Sequence, residues 1–226
     1  MQSQYITRRS EIETYFDRTA VKAWERLTSD APVSGVRARV RAGRDEMRAT
    51  LLSYLPADLR GATLLDAGCG TGAFAVAAAE RGAKVTAIDL SPQLVGVARD
   101  RLPKNLDVTF RSGDMLDPAL GKFDFVVAMD SVIHYRTADM ITIIAGLAMM
   151  ADQSVVFSFP PRTLPLAALW MVGKLFPRGN KSPAIEPQPP QKLRGALAQL
   201  EAVTLGRHHR VATGFYISEA QELIRR

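Results

Sequence analysis

The sequence predicts an α/β fold, a mainly parallel seven-stranded sheet with helices on both faces, preceded by an N-terminal helical arm. Three observations carry this expectation. From residue 62 onward, short apolar runs alternate with helix-favouring runs, the rhythm of a parallel sheet whose crossovers are helices. One such junction, Leu64-Leu-Asp-Ala-Gly-Cys-Gly-Thr-Gly72, is glycine-rich and reads as strand, tight turn and helix start. Before residue 58 the apolar positions recur at helical spacing instead.

The arm, residues 1–58, divides into two helices. In residues 11–28 the apolar positions are Ile12, Tyr15, Phe16, Ala23, Trp24 and Leu27; in the second they are Val36, Val40, Met47 and Leu51. Pro32 and Gly35 separate the two, and Pro56 and Gly61 mark the boundary with the sheet domain, residues 59–226. The second helix has a basic face of Arg37, Arg39, Arg41, Arg44 and Arg48. That face fits a solvated surface, or a lid that closes over a ligand and meets an acidic substrate or membrane.

In the sheet domain the first strand is Ala62–Leu65, and Ala73–Glu80 is the helix after the turn. Lys84–Ile88 is the second strand. Ser91 and Pro92 then supply an N-cap and a first helical residue, opening a helix to about Arg101. Val108–Phe110 and Phe123–Ala128 are strands three and four, and Ala138–Met150 is a helix. Strand five is Ser154–Phe159, a helix covers Gln191–Gln199, strand six is Val203–Leu205, and Gly214–Ser218 is the last strand. Residues 160–190 break this rhythm with clustered prolines around an apolar run, Leu164–Phe176, flanked by Arg162, Lys174, Arg178 and Lys181. A connection of this length asks for a purpose: a buried helix, a hydrophobic substrate wall or an interfacial anchor.

Composition narrows the function. A hydrophobic content of 47% supports a packed core rather than disorder. One cysteine, Cys69, rules out an intramolecular disulfide and favours a reducing compartment, so a cytoplasmic place is expected. The first ten residues are polar and Arg-containing, unlike a signal peptide, and no apolar run approaches the roughly 18–20 residues that span a bilayer. A net charge of +6 is compatible with acidic ligands, anionic lipid or nucleic acid. Aromatic content of 7%, with no aromatic–basic cluster, argues against nucleic acid as a partner.

The glycine turn lacks the lysine of a phosphate loop and fits the dinucleotide spacing badly. Acidic residues stand at successive strand ends, where open α/β sheets bind ligands. Asp89, with Leu90 beside it, can accept both ribose hydroxyls of an adenosine. Asp114 can accept from an adenine amino group while Met115 or Leu116 packs on the ring. Asp130 and Ser131 fall near an amino-acid tail, and Asp66 can serve an ammonium. Asp66-x-Gly68-x-Gly70-x-Gly72 resembles the first motif of the Rossmann-like class I S-adenosylmethionine (SAM) methyltransferases. The cofactor site then comprises Asp66, Gly68, Cys69, Gly70, Asp89, Leu90, Asp114, Met115, Asp130 and Ser131. Cys69 serves as a small packing residue there, and no protein-bound metal is expected. His134, in Met129-Asp-Ser-Val-Ile-His-Tyr135, would lie near the sulfonium methyl as base, positioner or contact to a substrate metal. His208 and His209 are read as surface or packing residues.

Longer stretches resemble the magnesium-protoporphyrin IX O-methyltransferases of chlorophyll and bacteriochlorophyll synthesis. They are Tyr15-Phe16-Asp17 with Trp24, Val40-Arg41-Ala-Gly43, Leu64–Gly72, Met129–Tyr135 and Phe176–Ile185. The resemblance implies transfer of the SAM methyl to one propionate carboxylate of Mg-protoporphyrin IX, with the magnesium belonging to the substrate. It also implies a pigment pathway at the photosynthetic membrane, compatible with peripheral membrane contact and with magnesium chelatase as a partner. That family carries a tyrosine shortly after the arm's tryptophan, where this chain has Leu27-Thr28-Ser29. Thr28 or Tyr15 is then the candidate to replace that hydroxyl, unless it is dispensable. The other reading is a methyltransferase of a phenol or quinone ring, for which His134 would have to be a true general base.

Overall fold

In a computed structural model of the chain, residues 2–17, 28, 35–162 and 184–226 are described. The expectations for Ala23, Trp24, Leu27, Leu164–Phe176, Lys174, Arg178 and Lys181 lie outside them. The helices are α1 (Gln2–Tyr15), α2 (Gly35–Ser53), α3 (Ala73–Glu80), α4 (Pro92–Arg101), α5 (Thr137–Met150) and α6 (Pro190–Leu197). The strands are β1 (Thr63–Ala67), β2 (Lys84–Asp89), β3 (Val108–Ser112), β4 (Phe123–Ala128), β5 (Ala151–Phe159), β6 (Val203–Ala212) and β7 (Ile217–Arg225).

They form one seven-stranded sheet in the order β3-β2-β1-β4-β5-β7-β6. Strands β1 to β5 pair in parallel, and β7 runs antiparallel to both β5 and β6. Side chains alternate across the sheet, so successive core residues part company. Leu64 joins one cluster with Met47, Leu51, Phe74, Val95 and Phe110, from α2, α3, α4 and β3. Leu65 joins the other, with Met140, Ile144, Leu147, Leu193 and Phe157, from α5, α6 and β5. Helices therefore cover both faces. The chain leaves β1 toward one face through α3 and leaves β4, its neighbour, toward the other through α5. The crevice between these two strand ends is the switch point where doubly wound sheets hold ligands.

Two expectations need correction. The first helix starts at Gln2, well before residue 11. Its early residues carry no apolar period, and long-range contacts of Arg8 and Arg9 hold it instead. The last strand is not Gly214–Ser218: Gly214 lies in a turn at φ +76°, and β7 runs on to Arg225. Its core-facing run contains Glu219, Gln221 and Glu222, all buried, which hides the strand from a hydropathy reading. Arg194 and Arg210 both pair with Glu219 at 2.5 Å, and Arg207 pairs with Glu222. The charged partner strand β6 is an edge, with His208 and His209 exposed on it.

Helix α2 packs against the β6–β7 turn with no room to spare. A Cβ on Gly43 would lie 2.4 Å from Thr213 Oγ1 and 2.7 Å from Tyr216 Cβ. Alanine in a helix interior normally gains about 1 kcal/mol over glycine, whereas overpacking costs about 1–3 kcal/mol. Gly43→Ala should therefore lower the urea midpoint, while Gly195→Ala in α6, with nothing within 4 Å, should raise it. Equal shifts for the two would contradict this packing.

Candidate functional site

A cavity of about 300 Å³ opens at the carboxyl ends of the central strands, within the size range of small-molecule sites. Its floor is the β1–α3 turn. Gly68 has φ +84°, and a Cβ there would meet Ser131 Cβ at 2.2 Å, so only glycine lets the two strand ends touch. Gly70 has φ +53° and open space where a Cβ would be. Its N–H donates to Asp89 Oδ2 at 2.8 Å, and the Ser91 N–H donates to Oδ1 at 2.9 Å. Carboxylate oxygens carry further lone pairs, so Asp89 keeps acceptor capacity toward the cavity. Ser91 caps α4, accepting from the Leu94 N–H, with Pro92 as first helical residue.

Two buried polar atoms at this floor have no partner among the described residues, Asp66 Oδ2 and Ser131 Oγ. Both residues line the cavity. A native interior seldom leaves such atoms unsatisfied, and a polar ligand at this floor would satisfy them. Burial, then the neighbouring Asp89 carboxylate, push the Asp66 carboxyl up to about 7. Burial likewise raises Asp89. The Cys69 thiol is raised by burial and by both carboxylates, so it stays protonated and unreactive.

Asp130, two residues past the end of β4, has a left-handed backbone, φ +52°. Its N–H donates to Ser158 Oγ at 2.8 Å while Ser158 Oγ–H and Tyr216 O–H both donate to its Oδ1 at 2.9 Å. Arg44 Nε stands 3.6 Å from Oδ2. Ser158 and Tyr216 went unnoticed in the sequence because they lie far along the chain and belong to no motif.

The N-terminal segments roof the cavity. Ile12, Phe16, Thr28, Arg41, Arg44 and Arg48 line it. Three of the five arginines of the expected basic face thus turn inward, with Arg37 and Arg39 exposed. Asp17 accepts from Ser91 Oγ–H and from the Gln93 N–H at the start of α4. Thr28 accepts from Arg101. Arg9 donates to Asp114 Oδ2 at 2.5 Å, and the Leu116 N–H donates to Oδ1.

Of the expected cofactor residues, Asp66, Gly68, Cys69, Gly70, Asp89, Leu90, Met115, Asp130 and Ser131 line the cavity together. Asp114 lies beside it, engaged by Arg9. Of the expected catalytic residues, His134 and Thr28 line it. Tyr15 does not; its ring meets Phe16 edge-on at 5.2 Å. His134 is buried, its ring 5.7 Å from that of Phe16 and its Nδ1 3.3 Å from the Ala184 carbonyl. A carbonyl only accepts, so Nδ1 bears the hydrogen and, in the neutral ring, Nε2 bears the lone pair. Among the described residues no helix is long and apolar enough to cross a membrane.

Comparison with known proteins places this geometry. The family described as magnesium-protoporphyrin IX methyltransferase C-terminus matches residues 128–225, and a general methyltransferase domain matches residues 64–151. The chain is 51% identical to a magnesium-protoporphyrin O-methyltransferase of Rhodobacter capsulatus, over 98% of this chain and 99% of the relative. It is 31% identical to the protein of that name from Synechocystis, over 95% of each. The crystal structure of magnesium protoporphyrin IX methyltransferase from Synechocystis with bound SAH superposes with a TM-score of 0.83 at 30% identity. That match covers 96% of this chain and 99% of the other.

The Asp66 carboxyl gives a pH signature in the ligand-free protein. Its folded-state pKa, about 7, stands above the ordinary carboxylate value of 3.8. This contribution to stability is therefore complete below about pH 4 and is lost as pH rises through about 7. The urea midpoint of the native chain should fall as pH rises over that window, and Asp66→Asn should make the decline shallower. An unchanged decline in Asp66→Asn would show that Asp66 is not its source.

Proposed function

The chain belongs to the magnesium-protoporphyrin O-methyltransferase family, and from that premise we propose how its cavity serves the reaction. The protein transfers the methyl group of SAM to a propionate carboxylate of Mg-protoporphyrin IX. The products are the monomethyl ester and S-adenosylhomocysteine. The observation that carries the cofactor assignment is the floor itself: open space at Gly70 beside the unpartnered Asp66 Oδ2 and Ser131 Oγ.

Bound SAM supplies an electrophilic methyl carbon on its sulfonium. Asp89 would accept the ribose hydroxyls, Met115 and Leu90 would pack on the adenine, and Asp114, already engaged by Arg9, would accept from its amino group. Asp66 takes the ammonium, which draws off its carboxyl proton. Arg41, Arg44 and Arg48 bring positive charge to the wall that meets carboxylates. The N-terminal segments act as a lid that excludes water.

A propionate is ionised at neutral pH, so this acceptor needs no base to become a nucleophile. The methyl carbon gains a bond to the carboxylate oxygen as its bond to sulfur breaks. Alignment and desolvation supply the catalysis. The Nε2 lone pair of His134 suits contact with the porphyrin magnesium better than donation to an anion. Thr28, which lines the cavity, takes the place of the family's tyrosine. The hydrophobic product and the basic surface support peripheral contact with a photosynthetic membrane and with magnesium chelatase.

The test is methyl transfer from SAM to Mg-protoporphyrin IX, read by chromatography and porphyrin mass, with metal-free protoporphyrin as comparison. A gain of one methyl, with the magnesium form preferred, is expected. His134→Ala should retain measurable transfer but lose most of that preference. Binding of SAM with no methyl gained would sink the porphyrin assignment. A His134→Ala enzyme that keeps full preference would remove the magnesium contact.

A further inference from the structure

Arg8, on α1, spends each guanidinium nitrogen on a separate partner. Nε donates to the His134 carbonyl at 2.9 Å, and Nη2 donates to the Ala184 carbonyl at 2.9 Å. Nη1 donates to Glu11 Oε2 at 3.0 Å. The Ala184 carbonyl is the same one that faces His134 Nδ1. One cation thus grips both ends of the contact that decides which ring nitrogen of His134 carries the proton.

Among the described residues, a second set of bonds fastens the same two segments. The Glu186 N–H donates to the Ile133 carbonyl at 2.8 Å. Gln188 Nε2 donates to the Tyr135 carbonyl at 2.9 Å, and Thr137 Oγ1–H donates to Gln188 Oε1 at 2.7 Å. These bonds zip residues 184–188 to the His134 loop on the side of α5. On the side of the cavity roof the fastening is Arg8, with Phe16 packed against the ring. We propose that Arg8 is a positioning residue: it holds the Ala184 carbonyl against Nδ1 and thereby keeps the Nε2 lone pair of His134 turned to the acceptor.

This rests on the role of His134 given above. In water a neutral histidine prefers its proton on Nε2, so the opposite tautomer needs a partner held in place. A planar guanidinium can bridge two carbonyls at once, which an ammonium point charge does poorly. Docking of α1 and preparation of His134 then become one event: as α1 leaves, the carbonyl turns and the tautomer relaxes. Arg8 reaches the reaction only through His134, since it does not line the cavity.

The experiment uses the full chain, ¹⁵N-labelled at its 3 histidines, with His134→Asn to assign the signal. Imidazole ¹⁵N shifts report the tautomer without any substrate, and methyl transfer reports kcat and KM. The native protein should show the Nδ1–H form. Arg8→Ala should move it toward Nε2–H and lower kcat about ten- to a hundredfold, with KM for SAM within about twofold. Arg8→Lys should recover only part of the loss. An unchanged tautomer in Arg8→Ala overturns the proposal, as does a raised KM for SAM with unchanged kcat, which would make Arg8 a cover for the cofactor. A tautomer shift in a chain whose native form does not methylate the porphyrin would sink the assigned substrate and leave the positioning role standing.

Discussion

The contact on which the site depends is the approach of Gly68 to Ser131. It joins the ends of β1 and β4, the two central strands whose helices depart to opposite faces. With a would-be Cβ separation of 2.2 Å, no side chain larger than hydrogen lets the turn close there. Closing it aims the Gly70 N–H at Asp89 and sets Asp66 beneath the turn. The carboxylates are thereby drawn together in a buried place, and their raised affinity for protons is the electrostatic cost of that arrangement.

Asp130 carries the strain on the other side of the crevice. A non-glycine residue at φ +52° persists because its surroundings over-determine it. Ser158 of β5, Tyr216 of the β6–β7 turn and Arg44 of α2 all converge on its carboxylate. The antiparallel hairpin, remote in sequence, thus buttresses the crevice through Asp130. The same hairpin fixes α2 through the tight Gly43 contact, and α2 in turn presents its arginines to the cavity.

Helix α1 completes the enclosure by electrostatics more than by apolar burial. Among its described side chains Ile12 reaches the main core. Arg8, Arg9 and Asp17 bind the His134 loop, the turn after β3 and the start of α4. A helix held by a few charged contacts can detach at modest cost, which suits a cover that must admit a large flat acceptor.

The sequence alone determined the strand–turn–helix order, the glycine turn and the acidic residues at strand ends. Those features are local: positive φ needs glycine, and a strand's end follows from its apolar run. The N-cap at Ser91 and the placing of Asp89 and Asp130 were legible for the same reason. The extents of α1 and β7 were not, because long-range ion pairs rather than local apolar pattern stabilise them. Glu219 and Glu222 are core residues only because Arg194, Arg210 and Arg207 come to meet them. Tertiary structure alone decided which arginines of α2 face the cavity, that Asp114 is shared with Arg9, and which nitrogen of His134 holds the proton. Each of these is set by a partner 50 or more residues away, and no local rule of chain geometry reaches that far.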